Sequence, residues 1–272
     1  MTSSLPPAGR VTGLIWDSEQ AMLEWSALTG GTSHPATLPV PLGAELAFTC
    51  NADRRCVGVW MAGRRLACPM TAPLGPASRS AQCRSCADLA RSRSVAADTC
   101  LDDPRPFAVY LAHHNAVIKV GITAAERGLS RLLEQGALAS AVISTGSLAA
   151  ARATEHLLTT ALGLPERVTT AHKRAARACP PPPAKRAADL AAAAERAQQL
   201  TWPAGQTRCQ AQVSDHAGRY GLPQAGLHPD AEMLPLTPGS TIAGTVTCRI
   251  GTDIYLATPA GLVLVDTRLL TG

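Results

Sequence analysis

Aromatic side chains are scarce: four Trp, three Tyr and two Phe make up 3% of 272 residues. Apolar residues still reach 46%, so a sizeable core is possible, and Ala, Leu and Val must fill it. So few rings provide no sheet-borne stacking platform of the kind that reads RNA. Long hydrophobic runs are missing too. No window approaches the roughly 18 apolar residues of a membrane span, and no membrane partner is expected. The N-terminal MTSSLPPAGR has no basic segment followed by an apolar one, so no signal peptide is read and a cytoplasmic location is the expectation. The modest charged fraction, 17%, argues against global disorder.

The net charge of +5 is unevenly spread. Residues 50–95 carry eight Arg against two Asp, and residues 165–198 carry seven Lys or Arg against three acids. Two basic segments flanking the middle of the chain are the pattern expected of a protein that holds a polyanion, so nucleic acid, DNA or RNA, is the expected partner. The plainer reading is an Arg-rich, Ala-rich composition without a polyanion.

Turn and periodicity signals divide the chain into five stretches with an α+β fold class. Residues 1–49 read as an N-terminal β segment and 50–104 as a Cys-rich segment. Residues 105–178 alternate between strand and helix signals, as a small α/β domain. Residues 179–201 hold a four-proline break and an Ala-rich helix, and 202–272 read as a C-terminal β meander. Neither terminal β segment looks large enough to fold alone, so the two are expected to pack together or against the middle.

Nine cysteines, an odd number, in a chain without an export signal favour metal ligation or buried thiols over a disulfide framework. Cys83 and Cys86 form C-x2-C, the usual half of a structural zinc site. Cys56 and Cys68 are the first choice for the other half, because RRCVGVWMAGRRLACP reads as a hairpin that brings them together. Cys50 and Cys100 are the reserves. Four thiolates would close the coordination shell, so such a zinc is structural. A redox role is the poorer reading, because no thioredoxin-like βαβ pattern surrounds the motif.

In the middle domain, PFAVYLAHHNAVIKVGIT reads as two strands and a turn. Phe107, Val109 and Leu111 share one face with Ile118, Val120 and Ile122, and that face must be buried. The other face carries Ala108, Tyr110, Ala112, Lys119, Gly121 and Thr123, where small residues clear space around a phenol and an amine. A helix follows that places Arg127 and Arg131 one turn apart and ends near Gly136. After the strand SAVIST comes a second helix, N-capped by Ser147, with Arg152, Glu155 and His156 beside its apolar stripe. His113, His114 and His156 read as solvent-facing, and Cys209 and His216 as ordinary.

The order Val109-Tyr110-Leu111, Lys119-Val120-Gly121, Arg131 and Glu155 resembles the GIY-YIG nuclease superfamily over roughly residues 105–165. KVGIT and RLLEQGA, after a Cys-rich segment, also resemble an uncharacterised bacterial family spanning most of this length. The nuclease resemblance implies a Mg²⁺- or Mn²⁺-dependent phosphodiesterase. Tyr110 would be the base or water-positioner, Arg131 the phosphate clamp and Glu155 the metal ligand, with Lys119 a phosphate contact or close to a metal-bound water. The chain departs from the pattern in having Lys119 in place of the second-motif Tyr and no leading Gly. Its rival is a catalytically silent, zinc-containing nucleic-acid-binding module on the same fold. A third reading gives the Tyr110–Lys119 hollow to small-molecule chemistry.

Overall fold

Alternating apolar residues, broken by Gly and Pro, commit the first stretch to strands. The computed structural model describes residues 9–27, 36–61, 64–92 and 103–272. The chain forms two compact units, residues 1–100 with 229–272 and residues 101–228. Helices and strands both contribute, and the fold class is α+β.

The first unit opens with β1 (Gly9–Trp16), β2 (Ala21–Ala27) and β3 (Ala36–Pro39), an antiparallel sheet in that order. After β4 (Glu45–Thr49) come the short hairpin strands β5 (Val59–Met61) and β6 (Arg64–Leu66), then the helix α1 (Arg84–Arg91).

The second unit contains β7 (Phe107–His114), β8 (Val117–Ala124), α2 (Gly128–Glu134), β9 (Ala139–Gly146), α3 (Leu148–Leu162), α4 (Thr170–Ala178), α5 (Pro183–Gln198), β10 (Gln206–Asp215) and α6 (Ala217–Tyr220). Its antiparallel sheet runs β10-β9-β7-β8. The two-residue β7–β8 turn has Asn115 at φ 61°, a left-handed position that Asn tolerates. Ser147 caps α3 by accepting from the Ala150 N–H, and Gly163 ends that helix at φ 67°.

The chain then returns to the first unit as β11 (Ala231–Glu232), β12 (Thr241–Ile250), β13 (Asp253–Thr258) and β14 (Gly261–Asp266). The last three form the expected meander, and β12 also pairs with β4, so both terminal segments share one sheet. Leu23, Val40, Leu46, Val246, Ile254, Leu256, Val265 and Leu270 form its core.

The second unit reaches further than residues 105–178. It takes in the Ala-rich helix α5 and β10, because β10 completes the sheet edge beside β9. A strand separated by three helices from its neighbour leaves no local signal of that pairing.

Candidate functional site: a four-thiol centre and a buried phenol–amine pair

The hairpin β5–β6 brings Cys56, just before it, close to Cys68, just after it. Gly58 makes this possible: its φ is 78°, and a Cβ there would lie 1.9 Å from the Leu66 carbonyl oxygen. Cys83 sits at the N-cap of α1 and Cys86 in its first turn. The four sulfurs all lie within 4.8 Å of one another, and Cys68 Sγ is 4.0 Å from Cys83 Sγ. That separation is about twice the roughly 2.05 Å of a disulfide. It is close to the edge of a tetrahedron with metal–sulfur bonds of about 2.3 Å.

Backbone groups complete the arrangement. The N–H groups of Gly58 and Cys83 both donate to Cys56 Sγ, at 3.4 and 3.2 Å. N–H bonds from Ala72 and Met70 hold the Cys68 thiol down to about 7. Burial pushes the Cys56 and Cys86 thiols up, so without a cation these two stay protonated. Donors aimed at sulfur, with four sulfurs within 4.8 Å of one another, suit a metal ion such as zinc. Among the described residues this is the one group of three or more close potential ligands. Cys50 turns its thiol to the Ala52 carbonyl instead, and Cys100 lies outside the described residues.

The arginines around the centre divide into two kinds. Arg54 is buried and donates to the carbonyls of Thr271, Gly75, Pro76, Ser78 and Arg268, so it is part of the scaffold. Arg65 pairs with buried Glu24 at 2.5 Å, and Arg79 with Asp266 at 3.2 Å. Arg55, Arg64, Arg84 and Arg91 are exposed, the last two flanking exposed Asp88 at 3.9 and 3.3 Å, and Arg93 lies outside the described residues.

In the second unit, Tyr110 and Lys119 face each other, the Lys119 Nζ lying 5.5 Å from the phenol ring centre. The hollow expected around them is filled. Tyr110 lies over Gly121, where a Cβ would sit 2.5 Å from the phenol oxygen, and it packs with Ala112, Leu132 and Ala137. Tyr110 is 1% exposed and Lys119 6%. The small residues therefore make room for the phenol and for α2, rather than for solvent.

Gln135, directly after α2, joins the pair. Its Nε2 donates to the Tyr110 oxygen at 2.8 Å, and its Oε1 accepts from Lys119 Nζ at 3.0 Å. Lys119 also donates to the Glu166 carbonyl, and Lys173 to the Gln135 carbonyl. Burial raises the phenol to about 12 and lowers the amine to about 8. The charges of Arg131 and Glu155 act on both groups. Arg131 is shared with Glu134 at 3.3 Å, and Glu155 is half-buried on α3. Gln135 was not singled out from sequence. Its one signal is its place four residues after Arg131, on the same side of the chain as it leaves α2.

The histidines differ from expectation. His113 and His114 are fully buried, because helices cover both faces of the sheet; His113 meets Asp189 of α5 at 3.2 Å. His156 is exposed as expected. His216 is buried against Ser140 at 2.8 Å.

Residues 43–272 match the model of a family described as "Protein of unknown function (DUF2797)". The chain belongs to the DUF2797 family. No curated protein and no solved structure matches it. The matched region holds both the four cysteines and the Tyr110–Gln135–Lys119 cluster, so the DUF2797 region carries both features. No described helix is long and apolar enough to cross a membrane.

Proposed function

We propose that this protein binds nucleic acid through a domain held together by one zinc ion on Cys56, Cys68, Cys83 and Cys86, and that it does not turn substrate over. The observation that carries this reading is the four-thiol centre set in an arginine-rich segment. When bound, zinc would supply structural cross-linking, because four sulfur donors leave no open position for a water. Exposed Arg55, Arg64, Arg84 and Arg91 would supply phosphate contacts.

The burial of Tyr110 and Lys119 supports a silent middle unit. A phenol already engaged by Gln135 and closed off by Leu132 has neither a free lone pair in solvent nor space for a phosphate. The competing reading is a Mg²⁺- or Mn²⁺-dependent phosphodiesterase of the type the GIY-YIG resemblance implies. It is supported by the charges of Arg131 and Glu155, which act on both Tyr110 and Lys119.

One panel separates the two. The 272-residue chain is incubated with labelled single- and double-stranded DNA and RNA, with Mg²⁺ or Mn²⁺, and both binding and cleavage are read. The proposal expects salt-dependent binding, no cleavage, and no effect of Glu155→Ala on either. Metal-dependent cleavage lost in Glu155→Ala would establish the phosphodiesterase, and absence of binding at low salt would reject both.

A further inference from the structure

Exposed large apolar side chains are few among the described residues, and three of the five belong to the four-thiol segment: Trp60 (55% exposed), Met70 (78%) and Leu89 (42%). Each follows a different cysteine by two to four residues. Trp60 lies on β5 after Cys56, Met70 in the turn after Cys68, and Leu89 on α1 after Cys86. The four sulfurs thus tie together the three segments that display them.

Trp60 is the side chain with a specific setting. It is paired across the hairpin with Arg65, whose guanidinium lies 5.8 Å from the indole centre. Arg65 is itself held by Glu24, which is buried and also accepts from Thr12. The indole is therefore braced through a cation that is fixed to the first sheet, yet more than half of it faces solvent. Leaving the largest apolar side chain of the segment outside, on a braced support, gains nothing for folding.

Arginine dominates the charge of the segment that carries it. Between Asp53 and Asp88 the sequence contains six arginines and no acidic residue. Arg64, next to Arg65 on β6, is exposed, and Arg84, next to Cys83, is 96% exposed in a long, 3.9 Å ion pair with exposed Asp88. A flat ring and surrounding guanidiniums complement a polyanion that also offers flat rings. An acidic peptide satisfies the charges but has no ring for the indole. Duplex nucleic acid satisfies them too, but its bases are closed off by their stacked neighbours.

We infer that the β5–β6 hairpin is a docking surface for single-stranded nucleic acid, with an unpaired base stacked on the Trp60 indole and neighbouring phosphates reached by Arg64, which the register turns to the opposite face of the hairpin, and by Arg84. This rests on the nucleic-acid reading above and narrows it to unpaired strands. Base–aromatic stacking is worth about 1–3 kcal/mol per base, which corresponds to an affinity change of about 5- to 150-fold.

The test uses the 272-residue chain with its metal, and fluorescence anisotropy of a labelled oligothymidylate, the matching duplex and a labelled polyglutamate peptide. Trp60→Ala, checked for unchanged metal content, is expected to weaken single-strand binding at least about 5-fold. It should leave duplex binding within about 2-fold, while Trp60→Phe keeps most of the single-strand affinity. Arg64→Ala is expected to reduce the slope of log affinity against log salt by about 0.7. Single-strand binding untouched by Trp60→Ala would overturn the inference while leaving nucleic-acid binding in place. Trp60-dependent binding of polyglutamate in preference to the oligonucleotide would also overturn it, in favour of an acidic protein partner. No nucleic-acid binding by the wild type would remove the inference together with the reading beneath it.

Discussion

Lys119 is a buried amine whose direct partners are neutral: the Gln135 amide, the Glu166 carbonyl and the Tyr110 ring. Burial pushes it from its ordinary 10.5 down to about 8, against the opposing pull of Glu155. Below about pH 8 the folded state bears the full cost of the charged form. Between about 8 and 10.5 the folded protein sheds a proton that the unfolded chain keeps, so the Lys119 contribution to stability rises with pH. Tyr110 works in the opposite direction. Its phenol is held up at about 12 by burial, so between 10 and about 12 the folded state keeps a proton that the unfolded chain releases, and stability falls. Denaturant unfolding from pH 8 to 9.5 is therefore expected to show a positive slope that Lys119→Met loses; an unchanged slope would show that the amine is not desolvated. In Gln135→Ala, two buried polar groups lose their common partner, and a destabilisation of about 1–3 kcal/mol is expected in the same measurement. A loss below about 0.5 kcal/mol, less than the net worth of one hydrogen bond, would show that water replaces the amide.

The β5–β6 hairpin depends on one backbone position. Gly58 has φ 78°, and the carbonyl of Leu66 occupies the place of a Cβ. Gly58→Ala is expected to destabilise the protein by more than about 1 kcal/mol and to speed loss of metal to a chelator. Retention equal to wild type would mean that the hairpin does not position Cys56. This element was legible in the sequence because the signals were local: two short apolar runs, a Gly turn and a cysteine at each end. The C-x2-C at the start of α1 was legible for the same reason. The second hairpin is legible as two strands, but the face that reads as open is covered. Ala112 and Gly121 read as cleared space, whereas they are the room that Tyr110 and Leu132 of α2 need. Period-2 alternation reports which residues share a face; it does not report what covers it. The same limit hid the burial of His113 and His114 and the role of Gln135, all of which depend on helices distant in sequence.

The whole molecule consists of two units, and the four thiols belong to one of them. The core of that unit includes residues from the first and last stretches of the chain, such as Leu23 and Val265. The Cys-rich stretch has only a small core of its own, built from Val59 and the cysteines themselves. A core that small does not offset the ordering of some forty residues without an added cross-link. The zinc is thus expected to act as a structural element, as in small metal-stapled domains. The sheet of residues 103–228 contributes no ligand to it. The boundary between the units was only partly legible, since β10 joins the middle sheet from beyond a proline break and a helix.

Metal stoichiometry by native mass spectrometry tests the central claim most directly. The account predicts one zinc per chain, lost in Cys83→Ser or Cys86→Ser and kept in Cys179→Ser, with the four clustered thiols unreactive until a chelator is added. A folded, metal-free chain with those four thiols freely alkylated would contradict it.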